Sequence, residues 1–128
     1  MGKIKIKKAA VLSATRGREY KIMKTYKIDL CGETYTVKLE KNTYANNKRL
    51  AVSLFTVPDG EPFATITVNI DFPLSGDKTT TAFVDTNNYD FMNIENFLQS
   101  NKIATPTGER GESGYCVYPE YRFDLSKF

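Results

Sequence analysis

The chain has 128 residues, 41% hydrophobic and 26% charged, a balance that allows one well-filled core and excludes a disordered chain. Its net charge of +3 hides a split, with +8 in residues 1–27 (nine Lys/Arg, one acid) and −5 in residues 28–128 (nine Lys/Arg, fourteen acids). There is no histidine, which excludes Ser-His-Asp, Cys-His and zinc-histidine chemistry, and no apolar run approaches the roughly eighteen residues of a membrane span.

In chain order, residues 1–24 read as a basic arm and 25–128 as a single domain. Within the arm, Lys3–Lys7 alternates Lys with Ile as an edge strand does, and Ser13–Arg18 reads as a flexible connection. The apolar stretch Ala9–Leu12 is too short for a signal-peptide core, so a cytoplasmic location is expected. From Lys24 the period is two: Tyr26, Ile28 and Leu30, a turn at Cys31-Gly32-Glu33, then Tyr35, Val37 and Leu39. A polar turn over Asn42–Lys48 leads to a strand over Leu50–Val57. Pro58-Asp59-Gly60 then supplies turn dihedrals before a strand over Phe63–Ile70. A loop over Asp71–Lys78 precedes a Thr-rich strand over Thr79–Val84.

Phe91, Ile94, Phe97 and Leu98 repeat at three and four residues, which predicts a helix over Asp90–Ser100. Asn88 or Asp90 can cap it, and Asn101 suits a left-handed end. Gly114–Tyr118 and Tyr121–Leu125 read as final strands parted by Pro119. The expected fold is α+β: an antiparallel β-meander with one α-helix packed on one face, preceded by the basic arm.

Several segments invite a site, and each has a structural alternative. Thr107–Gly114 spaces three glycines at intervals of three and could nest an anion. It leaves a helix rather than entering one, and Glu109 and Glu112 repel phosphate, so a structural loop is favoured, with Arg110 free to meet a carboxylate or phosphate on a partner. Asp85-Thr86-Asn87-Asn88 fits a polar recognition surface or a set of helix caps. Asp71–Asp77 fails as a calcium loop, since Pro73 and Ala82 occupy ligand positions. Cys31 and Cys116 read as free thiols. Eight tyrosines, Tyr115 and Tyr118 among them, serve either core packing or an interface. No catalytic, cofactor or metal residue is assigned.

Three segments together carry a resemblance: Gly60-Glu61-Pro62-Phe63-Ala64-Thr65-Ile66-Thr67-Val68-Asn69, Ala82-Phe83-Val84-Asp85-Thr86-Asn87-Asn88, and Pro106-Thr107-Gly108 through Ser113-Gly114-Tyr115-Cys116-Val117-Tyr118-Pro119. The chain resembles, over about residues 25–125, a family of small domain-of-unknown-function proteins carried by conjugative transposons and phage-like elements of Gram-positive gut bacteria. That resemblance implies cargo of a mobile element and transfers no catalytic residue. With the split charge, it leads to the expectation of a non-catalytic inhibitor of a host defence complex, anti-CRISPR-like, with a host protein or ribonucleoprotein as partner. The candidate partner-binding residues are Lys3, Lys5, Lys7, Lys8, Arg16, Arg18, Asp85, Asn87, Asn88, Arg110 and Tyr118. The alternatives are a DNA- or RNA-binding accessory of conjugation or regulation, working through the arm, and a small enzyme using carboxylate or Tyr chemistry.

Overall fold

The computed structural model describes residues 24–89 and 93–128. The arm and its six candidate cations lie outside them. The elements are β1 (Tyr26–Leu30), β2 (Glu33–Thr43), β3 (Leu50–Thr56), β4 (Pro62–Thr65), β5 (Thr67–Val68), β6 (Thr81–Val84), α1 (Thr86–Tyr89), α2 (Ile94–Ser100), β7 (Ala104–Ser113) and β8 (Cys116–Phe123), then a 3₁₀ turn at Leu125–Lys127. Antiparallel strands with a few short helices place the chain in the broad α+β class. No helix among the described residues is long and apolar enough to cross a membrane.

The first four strands form the expected meander, in the order β1-β2-β3-β4. Period-two alternation sets its inner face: Ile28, Val37, Leu39 and Leu54 are buried and share one side through the pairs Ile28↔Tyr35 and Leu39↔Leu54. The rest departs from a single meander, because β5, β6, β8 and β7 build a second four-stranded sheet in that order. The strand expected over Phe63–Ile70 is split at Ile66. Its N–H donates to the Val52 carbonyl at 3.0 Å in the first sheet, and its own carbonyl accepts from the Asp85 N–H at 2.8 Å beside the second. The two sheets and α2 enclose one core, to which Ile66, Val84, Ile94, Leu98, Ile103 and Tyr121 all belong.

Among the described residues helix falls in two pieces, α1 over Thr86–Tyr89 and α2 over Ile94–Ser100, and the first three residues of the helix expected over Asp90–Ser100 lie outside the described residues. Asp85 caps α1 by accepting from the Asn88 N–H at 3.1 Å, whereas the residue at the start of α2 is Asn93, which makes no side-chain capping bond, so Asn88 does not cap that helix. The left-handed residue after α2 is Lys102 (φ 57), one beyond Asn101 (φ −92). The Ile103 N–H reaches the Leu98 carbonyl at 2.9 Å and the Lys102 N–H the Gln99 carbonyl at 3.1 Å. That pairing is a Schellman closure, with Leu98 and Ile103 buried together beneath it.

The Gly-rich stretch is not a loop. Thr107–Ser113 lies within β7, paired to β8 in a long hairpin, so no three-glycine anion nest forms. Each glycine has its own reason. Gly108 (φ 93) sits in a bulge where Thr107-Gly108-Glu109 all lie opposite Glu120, between the pairs Pro106↔Tyr121 and Arg110↔Pro119. Gly111 lies so close to β6 that a Cβ there would stand 2.7 Å from the Phe83 ring and 2.8 Å from Ile70. Pro119 does not interrupt β8, because the β6–β8 ladder ends one residue earlier at Phe83↔Glu120 and demands no N–H from it.

Gly111→Ala is therefore expected to destabilise the domain by about 1–3 kcal/mol through overpacking. Gly114→Ala, which faces open space at φ 63, should cost about 1 kcal/mol from backbone strain alone. Urea unfolding of the two variants beside the parent checks this; equal midpoints would refute the close approach at Gly111.

Candidate binding surface at the hairpin tip

A stiff hairpin needs its base anchored, and Glu120 on β8 provides that anchor. Its carboxylate is 1% exposed yet accepts from the Ser75 N–H (2.7 Å), from the Ser75 hydroxyl, and from the Thr107 hydroxyl (2.6 Å) in the β7 bulge. Burial alone would raise its pKa, but these hydrogen bonds outweigh burial and hold the carboxyl below its ordinary value. One carboxylate thus ties β7, β8 and the loop after β5 together. On the opposite face of β8, Tyr121 is fully buried; its hydroxyl donates to Glu95 of α2 and accepts from Gln99 at 2.9 Å. Burial and then the Glu95 hydrogen bond push the phenol well above its ordinary range, so it stays neutral and fastens α2 to the hairpin.

The far end of the hairpin turns at Gly114-Tyr115 between the paired Ser113 and Cys116. Gly114 supplies the positive φ that a two-residue hairpin turn requires at its first position. Tyr115 projects with 105% relative exposure and Val117 with 42%, and these are the exposed large hydrophobics among the described residues. Directly paired residues share a face, so Val117 lies on one side with Glu112, Arg110 and Pro119, and Tyr118 on the other with Gly111.

Four sequence candidates meet at this end, where α1 packs on β8, but they are not equally free. Asp85 is buried and consumed as a cap, its second oxygen accepting from the Asn88 side chain at 2.8 Å. Both its carboxylate oxygens are thus engaged within the fold. Asn88 is exposed but turned back onto Asp85, and exposed Asn87 reaches the Val117 carbonyl over a long 3.4 Å. Tyr118 is half-buried; burial, then the Cys116 thiol and the Asp85 charge, raise its pKa. Arg110 is exposed on the neighbouring strand. The residue that sequence reasoning did not single out is Tyr115, whose signal was an aromatic directly after a glycine between two alternating runs.

Among the described residues no cluster of His, Cys, Asp or Glu suits a metal ion, and both cysteines are free. Two open grooves are formed by the described residues. One of about 650 Å³ carries a single carboxylate, Asp124, and one of about 390 Å³ a single carboxylate, Asp29; neither assembles the carboxylate pair that acid–base chemistry would use.

Because Glu120 is held below its ordinary pKa, the stability it contributes is present above the ordinary glutamate range and is lost as pH falls from that range down through its lowered folded value. Stability measured from about pH 7 down to about pH 3 should fall more steeply for the parent than for Glu120→Gln, which starts lower. Parallel curves would refute the clamp.

The family model described as Domain of unknown function (DUF4313) matches residues 38–128. The match begins within β2 and includes the larger groove and the whole hairpin, while the basic arm and β1, which lines the smaller groove, precede it. No curated protein and no solved structure matches the chain.

Proposed function

This chain belongs to the DUF4313 family, and we propose that its domain is a non-catalytic binding protein that grips a macromolecular partner with the β7–β8 hairpin tip. The observation that carries this is Tyr115, a large aromatic held wholly in solvent at the apex of an anchored hairpin. Exposed aromatics of this kind contribute much of an interface's contact area with few rotamers to immobilise, and the hairpin beneath is already ordered, so little further ordering is needed on binding.

Protein is the favoured partner. Glu109 and Glu112 flank Arg110 on the strand leading to the tip, a balance that repels a phosphate backbone and suits a neutral or basic protein surface. The resemblance to mobile-element cargo makes a host defence complex of the kind targeted by anti-CRISPR proteins the partner of choice, with Lys3, Lys5, Lys7, Lys8, Arg16 and Arg18 engaging its nucleic acid or an acidic surface. A second reading, nucleic-acid binding through the arm alone, is favoured by the +8 charge of residues 1–27.

Tyr115→Ala should leave the unfolding midpoint unchanged and weaken capture of the partner about tenfold or more. Affinity capture from lysate with the parent and the variant side by side tests this, and a partner retained equally by both would sink the tip reading. The second reading is tested by gel-shift titration of the full chain against a chain starting at Lys24 across salt concentrations. Arm-mediated binding requires a steep loss with salt that disappears on truncation.

A further inference from the structure

The larger groove lies at the opposite end of the same hairpin, between the end of α2 and the first residues of β7. Its volume is about 650 Å³, within the range of small-molecule sites. Two cations line it, Lys102 and Arg122, beside Thr105, Gln99 and Asp124. Both cations are exposed. The one ion pair among the described residues is Lys38–Glu40, so neither groove cation has a described carboxylate within bridging distance. Asp124 is turned aside, its carboxylate accepting from the Ser126 N–H at 3.0 Å and the Ser126 hydroxyl at 2.7 Å.

The two cations also lack a structural reason to be there. Where this fold uses an arginine for support it bonds it to the backbone: Arg49 donates to the Ile70 carbonyl at 3.0 Å and the Phe72 carbonyl at 2.7 Å. Arg122 stands in the row with Thr105 and Thr81, where a neutral strand residue would serve equally. Lys102 occupies the left-handed position of the Schellman closure (φ 57), which favours glycine. The Phe97, Leu98 and Gln99 carbonyls at the end of α2 are already met by backbone N–H groups, so the ammonium is not needed to cap them. A strained position holding a lysine where glycine would be more stable is explained by what its side chain does.

We propose that Lys102 and Arg122 form a binding site for a phosphate group, with the Arg122 guanidinium fork receiving two phosphate oxygens and Lys102 supplying a second positive charge. Thr105 and Gln99 add neutral hydrogen-bonding groups along the same wall. The phosphate belongs either to a small organic or inorganic phosphate or to a nucleic-acid backbone, and the groove's chemistry is the same for both.

The test is an amide-resolved NMR titration of the full chain with inorganic pyrophosphate and, separately, with a short thymidine oligonucleotide. The amides of Lys102, Thr105 and Arg122 should shift saturably. Arg122→Gln and Lys102→Gly should each weaken that response at least about fivefold, and Lys102→Gly should at the same time raise the unfolding midpoint, because it relieves the backbone. Tighter binding of pyrophosphate identifies a small phosphate as the ligand, and tighter binding of the oligonucleotide a polynucleotide. Titrations unchanged by Arg122→Gln, or shifts that bypass the groove amides, would overturn the proposal.

Discussion

Ile66 belongs to both sheets, and most of the architecture follows from that one residue. Its N–H closes onto Val52 and its carbonyl receives Asp85, so a strand that begins by extending the first sheet ends by opening the second. The exchange leaves the Val52 N–H without a strand partner, and the buried Thr67 hydroxyl takes it at 3.1 Å while also meeting the Tyr44 hydroxyl at 3.0 Å. A buried amide left unpaired at that corner would cost about 1–3 kcal/mol. Threonine at position 67 therefore serves as a polar splice, and its β-branched shape is compatible with the strand it sits in.

Once the chain crosses at Ile66, the segment after β5 has to run over the outer face of β6, and that explains why all four residues of β6 are buried. Phe72 stacks edge-on against Phe83 with centroids 6.0 Å apart, and Gly76 packs against Thr81. The covering segment packs through Ile70 and Phe72 and is also held by polar contacts, Arg49 at its start and Glu120 farther along. Burying a carboxylate is tolerable here because three donors replace its water. The same contacts make the hairpin rigid from base to tip, since Thr107 and Glu120 belong to its two strands.

The parts of this fold legible in the sequence are those in which one face of a strand meets the core and the other meets water. In β1 and β2 the alternation of Ile28, Val37 and Leu39 with polar neighbours reports burial directly. The second sheet has no such alternation: Thr81-Ala82-Phe83-Val84 is covered on both sides, and β7 is polar over most of its length. A run such as Thr107–Gly114 reads as a loop because its stability comes from a partner strand and a bulge, not from its own side chains. Left-handed backbone was placed one residue early, at Asn101, because propensity favours asparagine there while the closure geometry selects Lys102. Asp85 was visible as a polar residue near a helix start, but whether it faces a partner or caps its own helix depends on burial, which local sequence does not encode.

How the hairpin can be used is constrained by its edge. β7 is the outer strand of the second sheet, and an outer strand is open to pairing with another chain. Here the Phe123 N–H points toward β6, bonding the Thr80 carbonyl, so Ala104 opposite it and Pro106 two residues on direct their backbone groups outward. Proline thus occupies an outward position where it offers no donor, and the three-residue bulge at 107–109 breaks the register immediately after it. Strand addition is thus hindered over the first part of β7 by its own sequence, while Arg110 and Glu112, opposite Pro119 and Val117 in the same alternation, still direct their backbone groups outward. The two ends of the hairpin lie roughly 23 Å apart by the rise of β8. At one, Tyr115 projects beyond the ladder, and at the other, Lys102 and Arg122 line a groove, so the contacts we propose at both ends are made by side chains.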